Sequence, residues 1–471
     1  MTVTLRRWSK APYVFVNGDL PDHVASAIDN ELSYEVDGYE YSSAWKAGRW
    51  DGKHHLFHGE GDGDSYFPLG AIHRVREILD SFGVAYEVEG LVYPGRGDLD
   101  VGWDTEMTLR EYQQEAVDDC LRRGSGIVSM PTGSGKTLIG LRLMHELQRP
   151  SLVLCHRQEI ADQWAEQMDD LLGVDVARCY AGDREQGDHQ VALYQSLYDD
   201  DGVRDDVRLD HDVLLADECH RVGAETFSDV ALAVNADYRI GMSATPERED
   251  NATLRVIGGT GELICDIRPE GLIDDGYLAE PEWEILKAPR AGAGYRKWQD
   301  EYKGEIVKND ERNELIRDTV ADLPKPCYIH VERIEHGERL ESLIDGAAFV
   351  SSDSSDRDEV IDAFRDGERD LLISTLLGEG FDLPELRSMV MAGGLKTEIG
   401  SIQKVGRALR PGTDDAVIVD FVDRGRWVGD HSEERIRTYK EYYGRYGPSA
   451  KIYHATATNR SIACPTCGGS T

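Results

Sequence analysis

The sequence predicts an α/β protein: two tandem parallel-sheet domains behind a small N-terminal α+β module. Three observations predict it. From Gly126 onward, apolar strand, polar turn and amphipathic helix alternate, the pattern of parallel sheets covered by helices on both faces. The alternation restarts after residue 321, and before residue 103 the signals are mixed and glycines frequent. A length of 471 residues suits about three domains.

Residues 1–103 form the N-terminal module. In the first α/β domain, residues 104–284, Gly126-Ile127-Val128-Ser129-Met130 is a buried strand running into a glycine-rich turn. Leu138, Leu141, Met144 and Leu147 then recur at helical spacing. Residues 151–155 make another strand, followed by a helix around 160–172. Residues 212–216 make a third, which ends on Asp217-Glu218. A polar stretch at 285–320 reads as a linker. The second domain, 321–430, has strand candidates at 326–331, 371–375, 389–391 and 416–420. Residues 431–471 read as a helical tail, whose Tyr439, Tyr442, Tyr443 and Tyr446 suit helix packing better than base stacking.

Charge and cysteine usage bound the compartment. With 89 Asp+Glu against 52 Lys+Arg the formal net charge is −37. The excess is dispersed and Lys is scarce beside Arg, which suits a solvated surface adapted to a high-salt cytoplasm. There the Debye length falls to about 3 Å at 1 M, so global repulsion of nucleic acid hardly matters. No uninterrupted apolar run approaches the ~18 residues of a membrane span. Arg6 and Arg7 are followed by no apolar segment of a cleaved export signal. Of eight cysteines only Cys464 and Cys467 are close neighbours, so a reducing compartment is expected rather than a disulfide framework. The expectation is a soluble intracellular protein with no membrane partner.

The strongest chemical signal is Met130-Pro131-Thr132-Gly133-Ser134-Gly135-Lys136-Thr137. Glycines let backbone N–H groups wrap phosphates, and the following helix N-terminus adds its positive dipole. Lys136 reaches the β/γ-phosphates of ATP and the Thr137 hydroxyl holds Mg²⁺. Met130 stands where the usual pattern begins with glycine. Asp217-Glu218-Cys219-His220 closes an apolar strand, so Asp217 is the second Mg²⁺ ligand and Glu218 orients or deprotonates the attacking water. The transition state also needs positive charge. Arg407 and Arg410, three apart and on one helix face, are candidate arginine fingers.

In this order the motifs resemble those of the superfamily 2 helicases over roughly residues 108–425, which implies RecA-like domains and ATP-driven work on nucleic acid. Arg110-Glu111-Tyr112-Gln113 resembles the adenine-reading segment, with Gln113 the base contact and Arg110 beside it. Gln195-Ser196-Leu197 resembles a motif that touches the nucleic-acid backbone. Ser243-Ala244-Thr245-Pro246 resembles the coupling motif, through Ser243 and Thr245. Thr375 with Glu379 to Pro384, including Asp382, resembles motif V, and 403–410, including Gln403, resembles motif VI; Asp382 and Gln403 would face the nucleotide. Arg248-Glu249-Asp250 resembles the triad of XPB-type DNA helicases. Asp217 to His220, Arg312-Asn313 and Ile334-Glu335-His336-Gly337 are similar to phage UvsW-type proteins. That branch implies action on forked or branched DNA in repair, recombination or replication, with 3′→5′ movement.

Two further segments carry chemistry. Residues 43–57 are the densest cationic and aromatic run: Lys46, Arg49 and Lys53 could meet phosphates while Trp45 or Trp50 stacks on bases. The alternative is a hairpin whose tryptophans form a small core. Cys464-Pro465-Thr466-Cys467 has the geometry of half a Zn²⁺ site, with His454 a conceivable third ligand, against a plain thiol pair. Two other functions share these motifs: the motor subunit of a restriction or defence complex, and an ATP-gated clamp that anneals or remodels DNA.

Overall fold

The computed structural model describes residues 2–9, 11–59, 65–91, 93–223, 225–244, 253–292, 294–376, 386–394, 405–406 and 415–449. The chain divides into two units, Met1–Arg268 and Pro269–Thr471.

The first unit holds two sheets. Near the N-terminus, Ser65–Pro68, Tyr13–Asn17, Thr2–Arg7 and Ala85–Glu89 lie side by side, in that order. Thr2–Arg7 runs antiparallel to Tyr13–Asn17 and parallel to Ala85–Glu89. Alternation puts Val3, Leu5, Val14 and Val16 on one face, where Val24 and Ile28 of helix Asp22–Glu31 and Val75 and Leu79 of helix Ile72–Ser81 cover them. This α+β module is docked, not free. Gly70 lies so near the end of helix Thr253–Thr260 that a Cβ would stand 1.9 Å from the Ile257 carbonyl oxygen. Arg74 meets Glu262 at 2.7 Å, and Arg7 pairs with Asp237.

The larger sheet of this unit has seven strands, in the order Leu263–Asp266, Ser125–Ser129, Tyr238–Ser243, Val213–Asp217, Ser151–Cys155, His189–Leu193 and Val176–Cys179. Every pairing is parallel. Its strands are apolar on both sides, with Val128, Val153 and Leu215 in one cluster and Leu152, Leu154 and Leu214 in the other. That double burial explains why they read as continuous apolar runs.

The second unit carries a six-stranded parallel sheet: Glu280–Lys287, Asp415–Val422, Ser388–Met391, Cys327–His330, Leu371–Ser374 and Ala348–Val350. Two expected boundaries are corrected here. Residues 285–320 are not a linker: Glu280–Lys287 pairs along its whole length with Asp415–Val422, and helix Asp310–Asp322 is built into the core. The stretch looked polar in part because several of its charges are buried and partnered. Glu301 accepts from the Trp427 and Val428 N–H groups, Glu305 from those of Ala291 and Gly292, and fully buried Arg312 meets Asp423 at 2.7 Å. Likewise the expected tail from 431 starts within helix Trp427–Tyr443, whose Tyr439 and Tyr443 belong to the sheet's apolar cluster.

That helix is pinned by one buried ion pair. Arg435 meets Asp420 at 2.8 Å, and the Tyr439 hydroxyl donates to the same carboxylate at 3.1 Å. Arg435→Leu would leave Asp420 charged in an apolar interior and should lower the stability of this unit by about 3–5 kcal/mol in urea unfolding. Adding Asp420→Leu should restore much of the loss, since it removes the orphaned charge.

Among the described residues no helix is long and apolar enough to cross a membrane. Five of the six described cysteines are buried and all are free.

Candidate nucleotide site and nucleic-acid face

The sequence places its phosphate loop and its acidic pair on neighbouring strand ends. Ser125–Ser129 leads into the loop, Val213–Asp217 ends on Asp217, and Tyr238–Ser243 lies between them. Parallel strands present their carboxyl ends at one sheet edge, which brings residues 131–137, 217–220 and 243 together.

Local chemistry shapes the loop. Gly133 and Gly135 have φ of +83° and +87°, a region costly for any residue with a Cβ. A Cβ on Gly135 would also stand 2.4 Å from Gln113 Nε2. The loop is braced from outside by helix Glu111–Arg123: the Tyr112 hydroxyl and the Gln113 amide both donate to the Ser134 carbonyl, at 2.7 and 2.8 Å. Gln113 Oε1 in turn accepts the Arg110 N–H at 2.9 Å. Gln113 is therefore buried and engaged at both ends of its amide, a loop-bracing role that the adenine reading had not foreseen. Within the loop the Ser134 hydroxyl donates to the Pro131 carbonyl, and Thr132 stands half-buried. Lys136 and Thr137 open helix Lys136–Leu147.

Lys136 Nζ lies 3.5 Å from Glu218 Oε1. Glu218 adopts a left-handed φ of +46°, unusual for a residue with a side chain. The Ser243 hydroxyl donates to Glu218 Oε2 at 3.3 Å, and His220 Nδ1 lies 3.1 Å from Ser243 Oγ. Burial alone would push the Glu218 carboxyl up, but Lys136, then His220 and His156, outweigh it and hold the group well below the ordinary carboxylate range. Asp217 behaves oppositely. Burial and the adjacent Glu218 charge raise it to about 6, against the opposing pull of Trp164 and Lys136. Its Oδ2 accepts the Trp164 indole N–H at 2.9 Å and its Oδ1 accepts the Glu218 N–H at 2.9 Å.

Trp164 is the functional residue sequence reasoning missed. It lies on the buried face of helix Gln158–Leu172 and touches Gly140, where a Cβ would stand 2.5 Å from its ring. The available signal was a tryptophan on an apolar helix face, whose N–H must find an acceptor once buried. Among the described residues no cluster of three or more His, Cys, Asp or Glu could hold a metal. One buried carboxylate with one hydroxyl is instead the donor set of a Mg²⁺ that arrives with phosphates and water. Asp217, disfavoured as a lone anion, and Thr137 fit that ion.

On the N-terminal module, the run at 43–57 forms the one-turn helix Ser43–Lys46 and the strand Lys53–His55, paired antiparallel with Ser33–Glu35. Its tryptophans do not make a core. Trp45 is 39% exposed, edge-on to Tyr39, and half-buried Trp50 donates to the Lys53 carbonyl at 2.7 Å. Lys46 lies over the ring of Tyr41, which is 78% exposed, and Arg49 faces solvent. Arg255, on helix Thr253–Thr260, reaches His54 Nδ1 at 3.1 Å. Exposed Gln195 donates to the His156 carbonyl at 3.1 Å. In the second unit Thr375 follows strand Leu371–Ser374. Thr245, Arg248, Glu249, Asp250, Asp382, Gln403, Arg407, Arg410, Cys464 and Cys467 lie outside the described residues.

Comparison with known proteins agrees with this layout. Residues 106–248 match the family described as Type III restriction enzyme, res subunit, and residues 325–412 match the helicase conserved C-terminal domain. A Halobacterium salinarum relative, provisionally named DNA 3′-5′ helicase Rad25, is 29% identical over 73% of this chain and 60% of its own length. The ATP-dependent DNA helicase uvsW of Enterobacteria phage T4 is 22% identical over 80% of this chain and 82% of its own. Among solved structures, a fragment provisionally assigned to the HsdR subunit of a type I restriction enzyme from Vibrio vulnificus shares the fold. Its TM-score is 0.55 and its identity 20%, over 75% of this chain and 68% of that one. The chain spans about three-fifths of the length of the haloarchaeal relatives it matches. With its phosphate loop, acidic strand end and two parallel sheets, the chain carries the domains of a superfamily 2 helicase and is similar to relatives named XPB/Rad25 and UvsW.

Proposed function

We propose that this protein is an ATP-driven DNA translocase or helicase, moving 3′→5′ and acting on forked or branched DNA in repair or recombination. The carrying observation is the Lys136–Glu218–Ser243 cluster, in which one carboxylate meets both the phosphate-loop lysine and the first residue of the coupling motif. ATP with Mg²⁺ supplies a phosphoanhydride bond polarised by the metal. Lys136 and the backbone of 132–136 grip the phosphates. As a triphosphate draws Lys136 to itself, Glu218 loses the cation that holds it ionised and becomes a better acceptor for the proton of the attacking water. Water then bonds to the terminal phosphorus and the bond to the bridging oxygen breaks. Ser243 would feel each change at Glu218 and pass it to the segment that follows. Arg407 and Arg410 are proposed to neutralise charge in the transition state. Lys46, Arg49 and Lys53, with Trp45 and exposed Tyr41, would meet DNA on the N-terminal module. Acidity this dispersed, and relatives from haloarchaea, favour work at high salt.

The test is ATP turnover with single strands, duplexes, forks and RNA across a salt range, paired with strand displacement on forks. Stimulation by forked DNA above RNA, persisting at molar KCl, is expected. Turnover indifferent to DNA overturns the reading. The match to a restriction-enzyme subunit favours one alternative, the motor of a restriction complex; co-purification with a nuclease would support it. Annealing without displacement would point to the clamp.

A further inference from the structure

A cavity of about 660 Å³ opens in the first unit at the amino ends of strands Val176–Cys179 and His189–Leu193. The phosphate loop and acidic pair stand at the carboxyl ends of the same parallel sheet, so the two openings lie at opposite edges. The cavity is lined by Leu99 and Asp100, on the chain that leads out of the N-terminal module, and by Asp175, Val176, Asp188 and His189. That chain is fixed in place. The Leu99 and Gly102 N–H groups donate to the Gln148 and Leu172 carbonyls, at 3.2 and 2.9 Å.

Acid alone would say little on a chain of net charge −37. The residue that sets this cavity apart is His189. It is 6% exposed, lines the cavity, and its Nδ1 is buried with no hydrogen-bond partner among the described residues. A buried polar group left so costs about 1–3 kcal/mol, which a donor brought to the ring relieves. Burial pushes its imidazolium down, against the pull of Asp188, so the ring is neutral at neutral pH and can accept a hydrogen bond. The carboxylates are of two kinds. Asp188 is held by Arg208 at 3.0 Å, whereas exposed Asp100 and Asp175 have no ion-pair partner among the described residues. Half-buried Leu99 and Val176 add apolar lining. Such a rim repels phosphates and suits a cation carried on an apolar stem.

We infer that this cavity receives an arginine side chain of a partner polypeptide, its guanidinium on Asp100 and Asp175 and donating to the His189 ring, its stem along Leu99 and Val176. Salt decides between arginine and lysine. At 1 M the Debye length is about 3 Å, so a bare point charge gains little there. Recognition then needs directed hydrogen bonds from a weakly hydrated cation, which the planar guanidinium supplies better than an ammonium. The volume suits a short peptide segment and exceeds what a lone ion fills. This inference does not rest on the proposed action on DNA. A partner seated here leaves the opposite sheet edge open to nucleotide.

The test uses the full chain in molar KCl and the peptide acetyl-Leu-Arg-Leu-amide, titrated by ligand-observed NMR. A dissociation constant on the order of 1 mM is expected. Citrulline in place of the arginine keeps the shape and deletes the charge, and should weaken binding at least about tenfold. The lysine peptide should bind more weakly than the arginine peptide. Asp100→Asn with Asp175→Asn, both at exposed positions, should melt as wild type and weaken binding about tenfold. His189→Asn should weaken it about tenfold as well, and if that variant melts early the aspartate pair decides. No binding by the wild-type chain at about 10 mM peptide overturns the inference, as does a citrulline peptide that binds equally well. Unchanged affinity in the aspartate pair also overturns it, because the peptide then sits elsewhere. Lysine equal to arginine removes the guanidinium, and arginine amide alone binding as tightly as the tripeptide removes the polypeptide. None of these results depends on DNA or ATP, so the proposed function stands or falls separately.

Discussion

Lys136→Ala and Glu218→Gln are each expected to lower DNA-stimulated ATP turnover by roughly two to four orders of magnitude. The two losses should differ in kind. On the proposed reading Lys136 would grip phosphate in ground and transition states alike, so its removal should raise KM as well as lower kcat. Glu218 is proposed to act on the attacking water, so the glutamine variant should bind ATP nearly as well as wild type and fail in kcat. Both variants should fold. Without Lys136, the Glu218 carboxylate keeps Ser243 at 3.3 Å and His220 at 3.5 Å, and the neutral glutamine needs no counter-charge. Phosphate release under saturating single-stranded DNA, with thermal melting as the fold control, reads all three expectations. Wild-type turnover in either variant would remove the site assignment.

The sheets were legible because parallel strands buried on both faces are written as unbroken apolar runs, and 126–130, 151–155 and 212–216 all surface that way. The phosphate loop was legible because its backbone conformation demands glycine at 133 and 135. Polar runs misled for the converse reason. Between 285 and 320, Glu301, Glu305 and Arg312 are interior groups whose cost is met by backbone N–H donors or by Asp423. Hydropathy prices a charge as if it faced water, so a core element read as a linker. Arg435 misled in the same way on the helix that 431 was expected to open.

In the site itself, the residues expected to meet phosphate or metal stand out by motif, and the residues that brace them do not. Trp164 lies 53 positions before Asp217 and meets it only because helix Gln158–Leu172 crosses the sheet there. Gln113 was expected to read a base, and the structure adds a donation to the Ser134 carbonyl that braces the loop. Such roles depend on which helix covers which strand end. No local spacing encodes that.

Asp217 makes the second large effect a matter of pH. On the proposed reading its carboxyl must be ionised to take Mg²⁺, and burial beside Glu218 pushes that carboxyl up to about 6. Below that value kcat/KM for Mg·ATP should fall about tenfold per pH unit, because this ratio reports free-enzyme ionisations. The acid limb of kcat should lie lower, since a bound cation favours the carboxylate. The stability linkage has a definite sign. A raised acid contributes stability that is full below its unfolded value and is lost as pH rises through about 6, so the empty site strains the fold at neutral pH. Glu218, held low, contributes the reverse: stability present above its ordinary value and lost on acidification. Trp164 tunes the limb, because its N–H favours the ionised form of Asp217. Trp164→Phe keeps most of the buried ring and deletes that donor, so the kcat/KM limb should move to higher pH while the alkaline side stays in place. A wild-type limb near 4, or one that Trp164→Phe leaves unmoved, would mean that Asp217 does not govern metal entry.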